Sequence, residues 1–195
     1  MKLLKIIFII SLLSNIGFIA WTVLSTFRVK VSFIGDSITE SLPLHNNLVY
    51  TFENYGFSGF TSYDALKSAG KVARRNPRRL FIQIGVNDLE QKIAADSVIK
   101  NFDKIILTIH NSNPSTSIIV SSLFPTGRKY SYLNAQIKRY NSMLKTYCIE
   151  RGIRFIDEYP SLLKGNEINE NYSNDGMHLS KDGYKIWIDS MSIYF

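Results

Sequence analysis

Short apolar runs alternate with helical patterns from residue 29 onward, and this alternation restricts the fold more than any other feature of the sequence. Apolar runs bounded by turn residues are typical of buried strands, whereas apolar residues at helical spacing are typical of amphipathic helices. The predicted strands are, in chain order, 29–34, 48–55, 79–85, 117–123 and 153–157. The predicted helices are 62–75, a helix from about residue 96 to the turn at 111–114, 132–150 and about 180–192.

This alternation predicts the class of fold. Strand–helix–strand units make right-handed crossovers, so the strands lie parallel and helices cover both faces of the sheet. We therefore predict an α/β protein, a three-layer α/β/α sandwich around a five-stranded parallel sheet. Asp96 is the predicted N-cap of its helix. A chain of 195 residues, 45% of them hydrophobic, has enough material for one such core and little room for a second.

The first 28 residues have a different character. Lys2 and Lys5 are followed by no charged residue until Arg28. A helix over 6–27 would be about 33 Å long, which is enough to cross a bilayer. Because this apolar stretch is longer than the core of a signal peptide and offers poor cleavage sites, an uncleaved signal-anchor over 1–28 is favoured over a cleaved signal peptide. We expect an apolar N-terminal helix, and a domain over 29–195 that is membrane-anchored or secreted and lies outside the cytoplasm.

Positive charge is concentrated in one stretch. The formal net charge is +7, and five basic residues fall in "KVARRNPRR", 71–79. Such a cluster can attract acidic polysaccharide or anionic lipid headgroups. A solvated helix end is the interpretation that we favour for it. No aromatic residues interleave with these charges, so the sequence gives no support for nucleic-acid binding.

The single cysteine, Cys148, excludes a disulfide framework within the chain. It continues the apolar spacing of the predicted helix 132–150, together with Tyr140 and Leu144. We therefore predict a buried core residue and not a reactive thiol.

The first predicted strand ends abruptly in "VSFIGDSITE", where Gly35, Asp36 and Ser37 follow the apolar run. In parallel α/β sheets, ligands bind outside the carboxyl ends of the strands. Ser37 is therefore placed where a site is expected, near the start of a short helix whose free N–H groups favour negative charge. By itself it is equally well explained as an N-cap.

A nucleophilic serine needs a base, and the chain has three histidines. His110 lies at the end of a predicted helix, and His45 lies in a loop with no adjacent acid. His178 follows Asp175 by three residues in the glycine-containing turn "NDGMH", so a carboxylate can meet the imidazole locally. Such a pair fixes the tautomer and stabilises the imidazolium, as catalysis by a serine nucleophile requires. Asp157, after the fifth strand, is an alternative orienting acid.

Two other strand ends offer hydrogen-bond donors for an oxyanion. Gly59, in "NYGFSGF", can present an unobstructed backbone N–H, and Asn87, in "GVND", can present a side-chain amide. Glycine and asparagine also occur in ordinary turns. The presence of such donors after the second and third predicted strands nevertheless favours a site at this edge of the sheet.

These short blocks resemble the SGNH, or GDSL, hydrolase superfamily. The blocks "GDSI" (35–38), "GFSG" (56–59), "GVND" (85–88) and "DGMH" (175–178) occur in the family's order and span most of the chain after residue 30. The resemblance implies a flavodoxin-like sheet ordered 2-1-3-4-5. It implies Ser37 as nucleophile, His178 as general base and Asp175 as orienting acid, with the Ser37 N–H, the Gly59 N–H and the Asn87 side chain forming the oxyanion hole. The family name has leucine where this chain has isoleucine at position 38, a swap that conserves volume.

Motifs of other enzyme classes are absent from the sequence. No serine has the G-x-S-x-G setting of α/β-hydrolases, there is no HExxH or Walker loop, and one cysteine cannot anchor a zinc cluster. We expect chemistry that needs no metal and no cofactor.

The expected activity is that of a serine ester hydrolase, acting through an acyl-enzyme on short acyl groups. Because the predicted strands and helices use most of the residues, no insertion remains to form a lid over a long acyl chain. Acetyl groups on O-acylated carbohydrate are therefore the favoured substrate. The alternatives are a lysophospholipase or thioesterase, an acyltransferase of the same family, and an inactive carbohydrate-binding module with this fold.

Overall fold

The structure is a computed structural model that describes residues 11, 13–17 and 28–195. Its main element is a parallel sheet of five strands in the order β2-β1-β3-β4-β5. The strands are β1 (Val29–Gly35), β2 (Tyr50–Gly56), β3 (Arg79–Gln83), β4 (Ser117–Ser121) and β5 (Arg154–Ile156). The helices are α1 (Ser37–Glu40), α2 (Ser62–Arg75), α3 (Val86–Glu90), α4 (Ala95–Ser112), α5 (Asn134–Glu150), α6 (Tyr159–Leu162) and α7 (Lys181–Ser192). A small hairpin, β6 (Leu163–Lys164) with β7 (Glu167–Ile168), and 3₁₀ turns at Arg128–Leu133 and Glu170–Tyr172 complete the described elements.

The chain adds β2 on one side of β1 and then β3, β4 and β5 on the other side. Gly35 pairs with Gly56 of β2 on one side and with Gln83 of β3 on the other, so three strands end at the same level. Every pairing in this sheet is parallel. The three-layer sandwich and the strand order implied by the family resemblance are therefore confirmed. As a consequence, the segments that follow β1, β2 and β3 emerge side by side.

Side chains alternate between the two faces of the sheet, because successive residues of a strand point in opposite directions. In β1, Ile34 packs with α2, α4 and α5 on one face, whereas Phe33 packs with α7 on the other. Phe33 stacks on Phe81 of β3, with a distance of 5.2 Å between the ring centres. Trp187 of α7 belongs to the same core cluster and is 1% exposed. Both faces are covered, as a buried parallel sheet requires.

Several predicted boundaries differ from the observed ones. Asp96 is not an N-cap, because α4 begins at Ala95 with Ala94 in the capping position; Asp96 lies in the first turn, where a carboxylate still favours the positive helix end. The predicted helix 132–150 starts as a 3₁₀ turn and becomes α-helical at Asn134. The short elements α3, α6 and the β6–β7 hairpin escaped prediction, because they have too few residues to show a period.

The predicted N-terminal signal-anchor, 1–28, lies mostly outside the described residues. Residues 11 and 13–17 are helical, and the side chains of Leu13 and Ile16 are exposed. Among the residues that the structure describes, no helix combines the length and the hydrophobicity needed to cross a bilayer.

Cys148 lies on the face of α5 that packs into the hydrophobic core, and it is fully buried. Burial raises the pKa of its thiol to about 12, so the thiolate is not formed near neutral pH. The prediction of a core cysteine is confirmed.

Candidate active site

A chain of hydrogen bonds connects the serine, histidine and aspartate that the sequence had singled out. Ser37 Oγ lies 3.1 Å from His178 Nε2, although 141 residues separate the two in the chain. His178 Nδ1 lies 2.8 Å from Asp175 Oδ2. With the proton on Nδ1, the ring donates to the carboxylate and Nε2 accepts the Ser37 hydroxyl proton. The geometry therefore allows proton transfer from the serine to the imidazole.

Ser37 is held by the turn between β1 and α1. Asp36 is the N-cap of α1, and its side chain accepts a hydrogen bond of 3.0 Å from the N–H of Ile38. Gly35 leaves no room for a side chain, since an added Cβ would lie 2.5 Å from the carbonyl oxygen of Gln83. Because Asp36 takes the capping role, Ser37 becomes the first helical residue and its hydroxyl remains free for His178.

The loop that carries Asp175 and His178 is folded around its own polar groups. Asp175 Oδ1 accepts the N–H groups of Met177 and His178 at 2.9 and 2.8 Å. Ser173 Oγ donates to the His178 carbonyl at 2.9 Å and accepts the Gly176 N–H at 2.8 Å. These local bonds fix the orientation of the His178 imidazole relative to the loop.

Gly176 also attaches this loop to the segment after β4. Its carbonyl accepts the N–H of Gly127 at 2.8 Å. Its φ is +91°, and an added Cβ would lie 2.4 Å from the Gly127 carbonyl oxygen. A side chain at this position would therefore be strained by the backbone and would clash with the neighbouring segment. The glycine of "DGMH" is thus needed to bring His178 to the sheet edge.

The environment keeps Asp175 ionised. Partial burial by itself raises the pKa of this carboxyl group, but hydrogen bonds from the His178 ring and from the His178 and Met177 N–H groups outweigh it and lower the pKa to about 2. Asp175 is therefore a carboxylate throughout the pH range in which an imidazole titrates. A permanent negative charge 2.8 Å from Nδ1 stabilises the imidazolium that forms when His178 takes a proton.

Three donors lie at the same edge of the sheet. No acceptor among the described residues takes up the N–H of Ser37 or of Gly59. Gly59, with φ of +76°, lies in a turn closed by the Phe60 N–H and the Phe57 carbonyl. Asn87 lies in the first turn of α3, and its Nδ2 donates to the Phe60 carbonyl at 2.9 Å, which leaves its second amide hydrogen available.

The loop carrying Gly59 is also tied to the serine turn. The Phe57 N–H donates to the Gly35 carbonyl at 3.3 Å, and the Ser58 N–H donates to the Glu40 carboxylate at 2.9 Å. Together with the Asn87 contact to Phe60, these bonds connect the segments after β1, β2 and β3. The structure therefore joins Ser37, His178 and Asp175 in one chain of hydrogen bonds and attaches the segments of Gly59 and Asn87 to the turn of Ser37.

The alternatives considered for the base and the acid lie elsewhere. His110 is in the last turn of α4, where its Nε2 contacts the Thr116 carbonyl at 3.3 Å beside the amino end of β4. His45 is exposed in the loop before β2. Asp157 forms an ion pair with Lys145 at 3.9 Å, whereas the ring of His178 faces Asp175.

Local sequence patterns do not indicate the groups that pack behind the site and support it. The Tyr184 hydroxyl of α7 donates to the Ile38 carbonyl at 2.8 Å and thereby fixes α1 to α7. Asp88, the last residue of "GVND", accepts from Ser62 N and Ser62 Oγ at 2.8 and 2.6 Å, so α3 is fixed to α2. These partners lie 26 to 146 residues apart, and no local pattern records such contacts.

Asp36 is a further carboxyl group at the site, and it is completely buried. One of its oxygens caps α1, and the other has no hydrogen-bond partner among the described residues. Burial raises the pKa of Asp36 to about 7. A neutral Asp36 adds little to the negative charge beside Ser37, whereas an ionised one opposes formation of an oxyanion there.

A second buried carboxyl group, Glu158, follows β5 at the same end of the sheet and is 1% exposed. It lies within hydrogen-bond distance of the hydroxyls of Ser121, Ser122 and Ser190, at 3.3, 3.4 and 3.1 Å. Burial raises the pKa of Glu158 to about 8. At pH 7 the Glu158 carboxyl group is therefore protonated and uncharged, and in this form it links β4 to α7.

Glu158→Gln is expected to change how stability depends on pH. The folded protein keeps a proton on Glu158 between pH 4.5 and about 8, whereas the unfolded chain loses it. The free energy of unfolding of the wild type should therefore fall as pH rises through this window, by up to about 5 kcal/mol from this group. The variant, which cannot ionise, should equal the wild type at pH 5 and exceed it at pH 9 in urea unfolding.

Glu90→Gln, at an exposed position of α3, is the matched control and should leave the pH dependence of the wild type unchanged. Parallel unfolding curves of Glu158→Gln and the wild type across this pH range would contradict the interpretation of Glu158 as a buried neutral group.

The Asp175 and His178 side chains are 46% and 44% exposed, so the site opens directly to solvent. A serine hydroxyl bonded to an imidazole, an imidazole bonded to a carboxylate, and unoccupied N–H donors beside them make up the arrangement of hydrolases that use a serine nucleophile. The sandwich and strand order place this arrangement on a flavodoxin-like sheet. The chain belongs to the GDSL-like lipase/acylhydrolase family, whose sequence model matches residues 33–186.

Solved structures have the same fold. A GDSL-like lipase from Bacteroides thetaiotaomicron superposes with a TM-score of 0.75 at 24% identity, over 85% of this chain and 87% of that one. A carbohydrate esterase family 3 protein from Talaromyces cellulolyticus superposes with a TM-score of 0.68 at 22% identity, over 85% of this chain and 95% of that one.

A curated relative has a different kind of name. The N-acylneuraminate cytidylyltransferase of Streptococcus agalactiae is 26% identical over 167 residues. The match covers 81% of this chain but only 38% of that protein. The chain therefore spans well under half the length of the curated relative.

Proposed function

We propose that the domain over 29–195 is a serine ester hydrolase with Ser37 as nucleophile, His178 as general base and Asp175 as orienting acid. His178 Nε2 takes the Ser37 proton as Oγ attacks the ester carbonyl carbon, and the carbonyl π electrons move onto oxygen. The tetrahedral intermediate collapses, and the alcohol leaves with the proton from His178. Water, activated in the same way, then releases the acyl group and restores the serine.

The oxyanion of each intermediate is held, in this proposal, by the Ser37 and Gly59 N–H groups and by the Asn87 amide. Each such donor contributes about 3–4 kcal/mol to lowering the barrier in enzymes of this type. The observation that carries the proposal is the hydrogen-bond chain from Ser37 through His178 to Asp175, with distances of 3.1 and 2.8 Å. A module that only binds carbohydrate would have no need of this geometry.

For the substrate we propose short acyl groups, acetyl above all, esterified to carbohydrate. The exposure of Asp175 and His178 supports this, because an open site admits a bulky polymer and gives little apolar cover to a long acyl chain. The Talaromyces neighbour is named as a carbohydrate esterase. The competing assignments are lysophospholipid or thioester hydrolysis and acyl transfer to an alcohol.

We also propose that residues 1–28 anchor the chain in a membrane and that the domain over 29–195 acts outside the cytoplasm. The support is the uncharged stretch between Lys5 and Arg28. Leu13 and Ile16, two side chains of that stretch, are 62% and 53% exposed, which is unfavourable in water and favourable in lipid.

Labelling by a fluorophosphonate probe tests the class of enzyme. The probe reacts with a serine that an adjacent base has activated, so the wild type should be labelled at Ser37 and Ser37→Ala should not. Labelling of Ser37→Ala to the wild-type extent would overturn the assignment of the nucleophile. Absence of labelling in both proteins would favour the inactive carbohydrate-binding module.

A substrate panel tests the acyl group and its carrier. Acetate release from acetylated xylan and acetylated peptidoglycan is compared with fatty-acid release from lysophosphatidylcholine and thiol release from an acyl-thioester. Faster release of acetate supports the carbohydrate assignment, whereas faster release of fatty acid supports a lipid acyl hydrolase. An added alcohol that is acylated in preference to water would identify an acyltransferase.

A further inference from the structure

The edge of the sheet opposite the candidate site has an unusual composition. At this edge the strands begin, α2 ends, and the described domain begins at Arg28. We use the term amino-edge surface for six residues that the structure places there: Arg28, Lys30, Leu48, Val49, Arg74 and Arg78. Four of the six are cations, and the other two are large aliphatic residues.

The cations are grouped and uncompensated. Arg28, Lys30 and Arg78 line one surface depression of about 380 Å³, and the Arg78 N–H donates to the Lys30 carbonyl at 2.9 Å. Among the described residues, none of the four cations forms an ion pair, whereas the neighbouring Arg75 is bound to Glu53. The residues before Arg28 contain no acidic side chain. Lys30, Arg74 and Arg78 are exposed, whereas Arg28 is half-buried and its Nε is enclosed. The positive charge of the three exposed side chains is therefore directed at solvent or at a partner.

The aliphatic residues lie beside these cations. The Val29 N–H donates to the Val49 carbonyl at 2.8 Å, which joins the loop before β2 to the start of β1. Leu48 is 69% exposed and Val49 is 54% exposed. Exposed aliphatic side chains next to uncompensated cations are typical of surfaces that lie at a membrane interface, where the apolar groups enter the headgroup layer and the cations bind anionic lipid.

The membrane anchor proposed for residues 1–28 favours one partner for this surface, and the docking proposal rests on it. The uncharged apolar stretch 6–27 enters the domain at Arg28, a member of the amino-edge surface. A bilayer that holds this stretch therefore lies against the same edge. An acidic polysaccharide would match the charge but would leave Leu48 and Val49 in water.

We propose that the amino-edge surface docks on the anionic headgroups of a bilayer and thereby holds the candidate site away from the membrane. β1 has seven residues and runs from the amino-edge surface to the turn of Ser37. At about 3.3 Å per residue, it places Ser37 about 20 Å from the start of the strand, at the edge that faces away from the lipid. Each cation near an anionic surface strengthens binding about fivefold.

A consequence for the substrate rests on the proposed function. A hydrolase held in this orientation presents Ser37 to esters in the surrounding medium and not to lipids of the bilayer on which it is docked. It should therefore hydrolyse a soluble acetyl ester equally well on neutral and on anionic membranes. It should also leave lysophospholipid in its own bilayer intact.

The orientation is tested with the full-length chain in nanodiscs of phosphatidylcholine, with or without phosphatidylglycerol. A fluorophore is placed on Asn76→Cys, at the amino edge, or on Tyr132→Cys, in the 3₁₀ turn whose Arg128 donates to the Asn174 carbonyl in the loop of Asp175 and His178. Energy transfer to a labelled lipid headgroup is then measured. Cys148 is buried and stays unlabelled. Transfer from position 76 should be several-fold greater than from position 132, and it should increase with phosphatidylglycerol and decrease with salt.

Charge reversal provides the matched comparison. Lys30→Glu with Arg78→Glu should reduce transfer from position 76 to its value in phosphatidylcholine alone. Lys100→Glu with Lys104→Glu, exposed on α4, changes the net charge equally and should have no effect. The measurement is repeated on Ser37→Ala, so that docking is determined separately from activity.

Three outcomes would overturn the proposal. The first is equal transfer from positions 76 and 132, and the second is the same loss in both charge-reversed variants. In the third, the protein binds dextran sulfate through Lys30 and Arg78, and energy transfer from position 76 does not change with phosphatidylglycerol. That result would identify an acidic polysaccharide as the partner.

Discussion

Ser37→Ala is expected to lower kcat for p-nitrophenyl acetate by at least about 10⁴-fold, because it removes the hydroxyl that His178 activates for attack in the proposed mechanism. The oxyanion donors remain, so a small residual acceleration over the uncatalysed reaction should persist. The fold should be unaffected, since Asp36 and not Ser37 caps α1, and the Ser37 hydroxyl forms a hydrogen bond only with the His178 ring among the described residues. Initial rates and the thermal unfolding midpoint are measured on the same preparation.

Ser142→Ala is the matched control for this experiment. Ser142 is an exposed serine of α5 and should retain wild-type turnover. A folded Ser37→Ala protein with wild-type turnover would show that the reaction takes place elsewhere on the chain, and the hydrolase assignment would then have no support from this site.

Asp175→Asn should have an effect of similar size, a loss in kcat of about 10⁴-fold at neutral pH. The asparagine oxygen can still accept the N–H groups of Met177 and His178, so the loop keeps its shape. Its amide nitrogen, however, donates where the carboxylate accepted. His178 would then carry its proton on Nε2 and could not accept one from Ser37. The readouts are kcat and the pH profile of turnover.

The control for this substitution is Asp157→Asn, which also tests the alternative acid. Asp157 pairs with Lys145 and not with the ring of His178, so its replacement should leave kcat within about twofold of the wild type. A larger loss in Asp157→Asn than in Asp175→Asn would mean that the imidazole is oriented by the other carboxylate, and the assignment of the triad would change accordingly.

Elements whose signals are local were predicted well. The helix predicted over 62–75 coincides with α2, because Thr61 and Asp64 form a capping box at its start and Asn76 adopts a left-handed conformation just before Pro77. The N-cap of α4 was predicted wrongly at Asp96, because no side chain caps this helix and the capping position lies two residues earlier, at Ala94. α3 has only five residues and escaped prediction for lack of a period.

The candidate site likewise has parts that local sequence could predict and parts that it could not. Asp175 and His178 meet through a turn of four residues, and the sequence alone was enough to pair them. The contact of this pair with Ser37 depends on a sheet order in which β1 lies between β2 and β3, and on the attachment of Gly176 to Gly127. The support from Tyr184 and Glu158 could not be predicted, since the side chain of each contacts residues at least 32 positions away.

The sequence by itself determined the alternation of strands and helices, the position of Ser37 after the first strand, and the short blocks that place donors after the next two. These features depend on residue order and on local conformational preference. Only the tertiary structure decided that the four blocks converge, that Asp36 and Glu158 are buried where their protonation affects stability, and that exposed cations and aliphatic residues gather at the opposite edge. The physical reason is that burial and through-space distance depend on the packing of segments remote in the chain.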